Sequence, residues 1–270
     1  MKTLALCLAV SGVSLPVQAE QTEPQPESPP ARYLLGVSVA NRPDYDGSNV
    51  RKTQARPLWA LQLGRWRFST SGASALLGFG RDGGGAGAST QLIDNDRWRL
   101  GVALGIDGGR QSDDAGSTRG LPNVQRTLRA RLHASGSLMP DLNLSASLSQ
   151  DLLGHRGGLI ASADLGWRIY RSATLEWTSG IGVSAADAQN LRSYFGVPAS
   201  AVAASGKPAY EPGAGLRDLH VGTGFTRPLS AQWFVFGSAG VSRLLGPVAG
   251  SPLVLKRDDV SLSLGVAWRR

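Results

Sequence analysis

The sequence predicts an all-β fold: a closed, antiparallel transmembrane β-barrel of about twelve strands with long outer loops. Three observations point there. Apolar and polar residues alternate with a period of two through most of the chain. The alternating runs approach the roughly 9–11 residues that a strand needs to cross an outer membrane obliquely. Aromatic residues fall at the ends of those runs, at Trp66, Trp98, Trp167, Trp233 and Trp268, where a girdle meets lipid headgroups. A soluble sandwich would show the same alternation. The strand length, the aromatics and an export leader decide for the membrane, and only a closed sheet leaves no unpaired backbone in lipid.

In chain order, residues 1–19 read as a signal peptide: Lys2 supplies the positive start, residues 4–13 an apolar core, and Val17, Gln18 and Ala19 a small-x-small cleavage site. The apolar run is too short to span a bilayer as a helix. Residues 20–31 are rich in Pro and Glu with nothing to bury, and are expected to be a disordered lead. The barrel then occupies 32–270. Its expected strands are 32–40, 53–63, 65–72, 87–93, 97–107, 125–138, 141–151, 158–169, 172–184, 216–227, 231–243 and 258–268. The stretch around 145 shows the pattern: Leu142, Leu144, Ala146 and Leu148 alternate with Asn143, Ser145, Ser147 and Ser149. In the last strand Val260, Leu262, Leu264, Val266 and Trp268 alternate with Ser261, Ser263, Gly265, Ala267 and Arg269. The apolar set is expected to face lipid and the polar set the lumen.

Connections fall into two lengths. Those at 139–141, 171–172 and 229–230 are tight and suit the periplasmic side. Those at 107–123, 185–215 and 243–257 are long and suit the outer face, which is the usual asymmetry of such barrels.

Composition agrees. Of 270 residues, 35 are Gly, 41% are hydrophobic and 18% charged, too polar for a bundle of membrane helices and too weakly charged for a disordered polyelectrolyte. Lys and Arg exceed Asp and Glu by 28 to 20, a balance that by itself fits nucleic acid, acidic lipid or cell-wall polymer. Arg126, Arg129 and Arg131 lack the interleaved aromatics of a base-stacking platform, so no nucleic-acid partner is expected. The one cysteine, Cys7, lies in the leader, which excludes a disulfide scaffold and a thiolate zinc site.

The remaining chemistry-bearing residues do not assemble a site in sequence. His133, His155 and His220 lie in separate segments with no metal-ligand spacing. No G-x-S-x-G is present, and the glycine run at 83–87 lacks the Lys-Ser/Thr and helix of a phosphate loop. Neither a catalytic site, a metal nor a cofactor is expected. Ser, His and acidic residues are all present, so their convergence in space stays open.

Three motifs stand out. Pro43, Asp44, Tyr45, Asp46, Gly47 and Ser48 follow the first strand. Turn chemistry accounts for them: proline sets one angle, aspartates cap backbone donors and glycine permits reversal. Asp44 and Asp46 are also a carboxylate pair of the kind that holds a cation, a less common use of such a turn. Ser193, Tyr194, Phe195, Gly196 and Val197 lie in the longest loop, and Ser251, Pro252, Leu253 and Val254 precede the last strand.

These segments, in this order, resemble the MipA/OmpV family of outer-membrane proteins, the MltA-interacting proteins. Agreement continues at Asp187, Ser205, Gly206, Tyr210, Ala214, Gly215 and Leu216. It spans essentially the whole chain after the leader and is more specific in the second half. One departure is the terminus: family members usually finish on an aromatic, and this chain runs on from Trp268 through Arg269 and Arg270. The resemblance implies residence in outer-membrane lipid and brings no catalytic residues. The family's named member is described as a scaffold joining a lytic transglycosylase to a murein synthase; others are discussed as porins or adhesins.

Two functions follow as expectations. The first, favoured by the resemblance, is a non-enzymatic adaptor for peptidoglycan-synthesising and remodelling enzymes. The second is a small pore lined by Arg97, Arg99, Arg129, Arg131, Asp164, Arg168 and Glu176, the charged residues assigned to the lumen by parity. The pair Tyr194 and Phe195 is expected to fold the loop 185–215 back into the mouth, because an exposed apolar pair is unfavourable unless it packs.

Overall fold

Twelve antiparallel strands close on themselves in the computed structural model, which describes residues 32–70, 87–95, 97–113 and 115–270. The expected leader, the N-terminal lead and most of the glycine run lie outside the described residues. The strands are β1 (Arg32–Pro43), β2 (Arg51–Leu63), β3 (Trp66–Ser69), β4 (Gly87–Asp94), β5 (Trp98–Asp107) and β6 (Thr127–Met139). They continue with β7 (Leu142–Asp151), β8 (Leu159–Arg171), β9 (Glu176–Ala186), β10 (Gly215–Pro228), β11 (Trp233–Leu244) and β12 (Asp258–Arg269). Each pairs with its sequence neighbour, and β12 returns to β1 with Leu34 opposite Arg269 and Asn41 opposite Leu262. The main chain of Arg270 extends that seam through reciprocal bonds of 3.0 Å with Tyr33. Every expected strand is present, although β3 is only four residues long.

The tight turns and the chain's two strand termini share one end, and the long loops share the other. In bacterial barrels the tight-turn end is periplasmic. The alternation is realised on β7, where Leu144 and Leu148 are 40% and 48% exposed while Ser149 and Asp151 are 5% and 8% exposed. All seven tryptophans (59, 66, 98, 167, 177, 233 and 268) fall on outward positions near the tight-turn end. Indole, with an apolar body and one N–H, suits that headgroup level. Trp268 packs at a tilt against Tyr33, ring centres 5.2 Å apart, and donates to Gln232 Oε1 at 3.1 Å, and Trp177 donates to Thr223 Oγ1 at 2.6 Å.

The lumen departs from the expected polar lining in one sector. Leu34, Leu58, Ala60, Phe234, Phe236 and Ala267 form a buried apolar cluster on the inner faces of β1, β2, β11 and β12, around the seam and toward the tight-turn end. Gly265 leaves room for the ring of Phe236, whose Cζ would lie 2.4 Å from an added Cβ. The Arg269 guanidinium sits 5.2 Å from the Phe234 ring centre, a cation–π contact that covers the cluster. Burial of two aromatic rings where the chain's ends meet strengthens closure at the point that has no covalent link.

The long outer loops carry short helices. These are α1 (Ala188–Phe195), α2 (Val202–Ser205) and α3 (Gly246–Ala249). Asp187 caps α1 by accepting from the backbone N–H of Asn190 at 2.7 Å.

Candidate functional site: the outer mouth

The three sequence motifs, some 56 to 208 positions apart in the chain at their points of contact, meet in the outer mouth. The Tyr45 hydroxyl donates to the Leu253 carbonyl at 2.9 Å and lies 2.6 Å from Ser117 Oγ. Gly47 adopts φ +96°, and a Cβ there would fall 2.9 Å from Val254 Cγ2. Its carbonyl accepts from the N–H groups of Leu255 and Lys256 at 2.8 and 3.0 Å, and its own N–H donates to Asp259 at 3.1 Å. The turn after β1 is thereby clasped to the loop before β12. That loop is clasped in turn to α1: Ser251 Oγ donates to the Phe195 carbonyl at 2.6 Å. Ser48 Oγ accepts from Val50 N–H, and Val197 pairs with Tyr210 through two backbone bonds of 2.8 and 2.9 Å.

Two apolar clusters fill the layer so formed. Leu191, Phe195 and Val248 bury themselves against Ala186 and Leu244 at the outer ends of β9 and β11. Val197, Ala201 and Leu253 bury themselves against Leu121. Amphipathic α1 thus turns one face into the mouth, which is why an aromatic pair is tolerated in a surface loop. The carboxylates of the first turn are spent on ion pairs: Asp44 with Lys52 at 2.5 Å and Asp46 with Arg217.

Tyr194 links this layer to the wall. Its hydroxyl donates to Asp107 at 3.1 Å to either oxygen, and its carbonyl accepts from Arg110 Nη1 at 2.9 Å. Burial, and then the adjacent Asp107 charge, push the phenol well above its usual range. The folded state therefore holds the proton more tightly than the unfolded chain. Stability from this contact is complete below the ordinary tyrosine pKa near 10 and is lost as pH rises through the folded value. Tyr194→Phe is expected to cost about 1.5–3 kcal/mol, the value of a hydrogen bond to a charged group. The gap between wild-type and variant melting midpoints should close above about pH 10. A gap independent of pH would mean the hydroxyl does not act through Asp107.

The charged lumen residues occupy several settings. Arg99, Arg129, Arg131, Asp164, Arg168 and Glu176 lie on inward positions of β5, β6, β8 and β9. Arg97 does not: it is exposed and precedes β5, one residue too early for strand parity to place it. Arg129 is buried and acts as a clamp, reaching Ser149 Oγ at 3.1 Å, Asp107 at 3.3 Å and the carbonyls of Gly157 and Gly158 at 3.0 and 2.9 Å. Arg168 pairs with Glu176 and Asp141, each at 3.3 Å. Asp164 meets His220 Nε2 at 2.8 Å, and His220 Nδ1 meets Asp218 at 2.8 Å.

Serine, histidine and acid do converge here, because Ser184 Oγ bonds Asp218. The hydroxyl meets the carboxylate rather than the imidazole, so the group lacks the nucleophile–base contact of a hydrolase. Among the described residues no cluster of His, Cys, Asp and Glu is arranged to hold a metal ion. Asp107, Arg110, Arg217, Asp218 and His220 escaped the sequence reading as contact residues. For Asp218 and His220 a signal existed: two positions apart, they share one strand face.

A cavity of about 440 Å³ lies against the layer, bounded by residues that include Asp107, Tyr194 and Arg217, and a larger basin of about 940 Å³ by residues that include Arg110, Arg156 and Arg192.

Comparison with solved structures finds an outer membrane channel from Pseudomonas putida F1 at TM-score 0.51 and 13% identity, covering 92% of this chain and 100% of that one. The KdgM porin matches at TM-score 0.41 and 9% identity over 87% of this chain and 98% of that one. An anion-selective porin from Comamonas acidovorans matches at TM-score 0.40 and 9% identity, over 89% and 99% of the respective chains. The P. putida channel shares the barrel fold at that similarity. Comparison with curated proteins gave no match. The motifs that lock the mouth agree with the family described as MltA-interacting protein MipA, which matches residues 35–270, and the chain belongs to that family.

Proposed function

We propose that the protein, after loss of residues 1–19, sits in the outer membrane as a non-enzymatic anchor that holds a lytic transglycosylase, and through it a murein synthase, at the periplasmic rim. One observation carries this reading: the family motifs are spent on interlocking the outer loops across the mouth. Residues so used hold a cap in place, which suits an anchor better than an open channel. The family's name supplies the partner, since it describes an interaction with MltA.

The test is photo-crosslinking in intact cells from the tight turns, with the reactive residue placed at Pro140, Ser172 or Ser230, and from Ala199 in an outer loop. Capture of a lytic transglycosylase from the turns and not from Ala199 is the expected result. Capture from neither, together with steady single-channel conductance of the purified barrel, would overturn it.

Conductance would instead support a pore, a second reading favoured by the lumen walls. Arg56, Arg67, Arg99 and Arg131 lie on inward positions of β2, β3, β5 and β6, while the acids across the ring, Asp164, Glu176 and Asp218 on β8, β9 and β10, are paired with His220 and Arg168. A basic sector of this kind sets a positive field in a narrow lumen.

A further inference from the structure

The basin of about 940 Å³ on the outer face has no part in the periplasmic role. Its walls come from the β5–β6 loop, the β7–β8 loop and α1, and hydrogen bonds fix them to one another. Arg110 reaches the carbonyls of Tyr194 and Pro122 at 2.9 and 3.3 Å. Ser193 Oγ donates to the Arg156 carbonyl and Asn190 Nδ2 to the Gly157 carbonyl, both at 2.7 Å. His155 Nδ1 lies 2.6 Å from the Arg126 carbonyl. Arg156 is held at φ +63°, in the left-handed region that favours glycine. An arginine kept in such a conformation by its surroundings is an observation that invites a functional account.

The charge in this basin is one-sided. Arg110, Arg156 and Arg192 line it against the single carboxylate of Glu211. The Arg110 guanidinium is occupied by carbonyls, but Arg156 and Arg192 are exposed, and among the described residues nothing bonds their guanidinium groups. Two uncompensated cations on a concave wall concentrate positive potential and draw anions. The planar guanidinium matches carboxylate and phosphate oxygens in a two-point contact. The amides of Asn123, Gln125 and Gln189 also line the basin, together with the Tyr210 ring. Amides serve hydroxyls as both donor and acceptor. The volume falls in the usual range of small-molecule sites, about 300–1,000 Å³.

We propose that the basin binds an anionic saccharide, with Arg156 and Arg192 holding its carboxylate or phosphate and the amides its hydroxyls. The shared chemistry has two sources at an outer face: a soluble uronic-acid oligosaccharide, or the phosphorylated glucosamines of surrounding lipopolysaccharide. Calorimetric titration of the purified full-length barrel in detergent would use three probes: trigalacturonate, a bis-phosphorylated glucosamine disaccharide, and neutral maltotriose.

The expected result is binding of at least one anionic probe, which identifies the source, with maltotriose at least tenfold weaker. The double variant Arg156→Gln, Arg192→Gln should lose at least tenfold in anion affinity while keeping its heat-dependent gel mobility. Glu211→Gln, which removes the opposing charge without touching the arginines, should bind several-fold more tightly and serves as the check if the double variant fails to fold. Equal binding of maltotriose, binding of neither anion, or an unchanged affinity in both sets of variants would overturn the proposal.

Discussion

Phe195→Ala is expected to release the outer loop layer while leaving the barrel intact. Phe195 is 4% exposed and packs with Leu191 and Val248 against Ala186 and Leu244, which belong to the ends of β9 and β11. Truncating a buried phenylalanine costs about 3–5 kcal/mol, as lost transfer energy plus the cavity left behind. A loop layer held by two small clusters and a set of hydrogen bonds has little reserve against a loss of that size. Its carbonyl bond to Ser251 does not depend on the ring, so that motif contact between α1 and the loop before β12 remains, with the packing on their shared face weakened. The strand ladders do not involve the ring, and heat-dependent gel mobility should stay as in wild type. Outer-face proteolysis of residues 187–214 should speed up, and single-channel current should rise toward that of a variant lacking residues 190–207. A variant whose loops resist protease and whose current equals wild type would show that the layer does not cap the mouth through this cluster.

Leu148→Arg is expected to impair assembly, and Ser145→Arg to be tolerated. Leu148 is 48% exposed, opposite Leu132 and Ala161 on the outward face, several residues from the tryptophan level marked by Trp167 beside Leu142. An arginine on the lipid face near mid-bilayer costs about 2–4 kcal/mol, falling to about 0–1 near the interfaces. Ser145 points inward and stands opposite Asp164, so an arginine there keeps water and gains a carboxylate neighbour. Folding yield into lipid vesicles, read by heat-dependent gel mobility, separates the two. Equal yields would mean that β7 presents its other face to lipid.

Both predictions rest on strand parity, and parity is legible in the amino-acid sequence alone. Period-two alternation is a local property, set by consecutive Cβ atoms pointing to opposite faces. The lipid face of β7 and the twelve strand positions can therefore be read residue by residue, and the long and short connections assign the two ends. The motif residues are legible as a set, because Pro43–Ser48, Ser193–Val197 and Ser251–Val254 each stand out from neighbouring sequence.

What the tertiary structure alone decided is which of these residues meet. Phe234 and Phe236 keep the correct alternation yet face inward, because closure brings β1, β2, β11 and β12 together and gives them an apolar neighbourhood to fill. Arg97 misses the lumen by one residue at a strand end, where pattern has no resolution. His220 finds Asp164, 56 positions away, only once β8, β9 and β10 are in register. Tyr45 finds Leu253 across 208 positions only once the ring has closed. The alternation of a strand is determined by its own residues. The lumen network and the locked mouth depend on register and ring closure, which join residues that no local pattern connects.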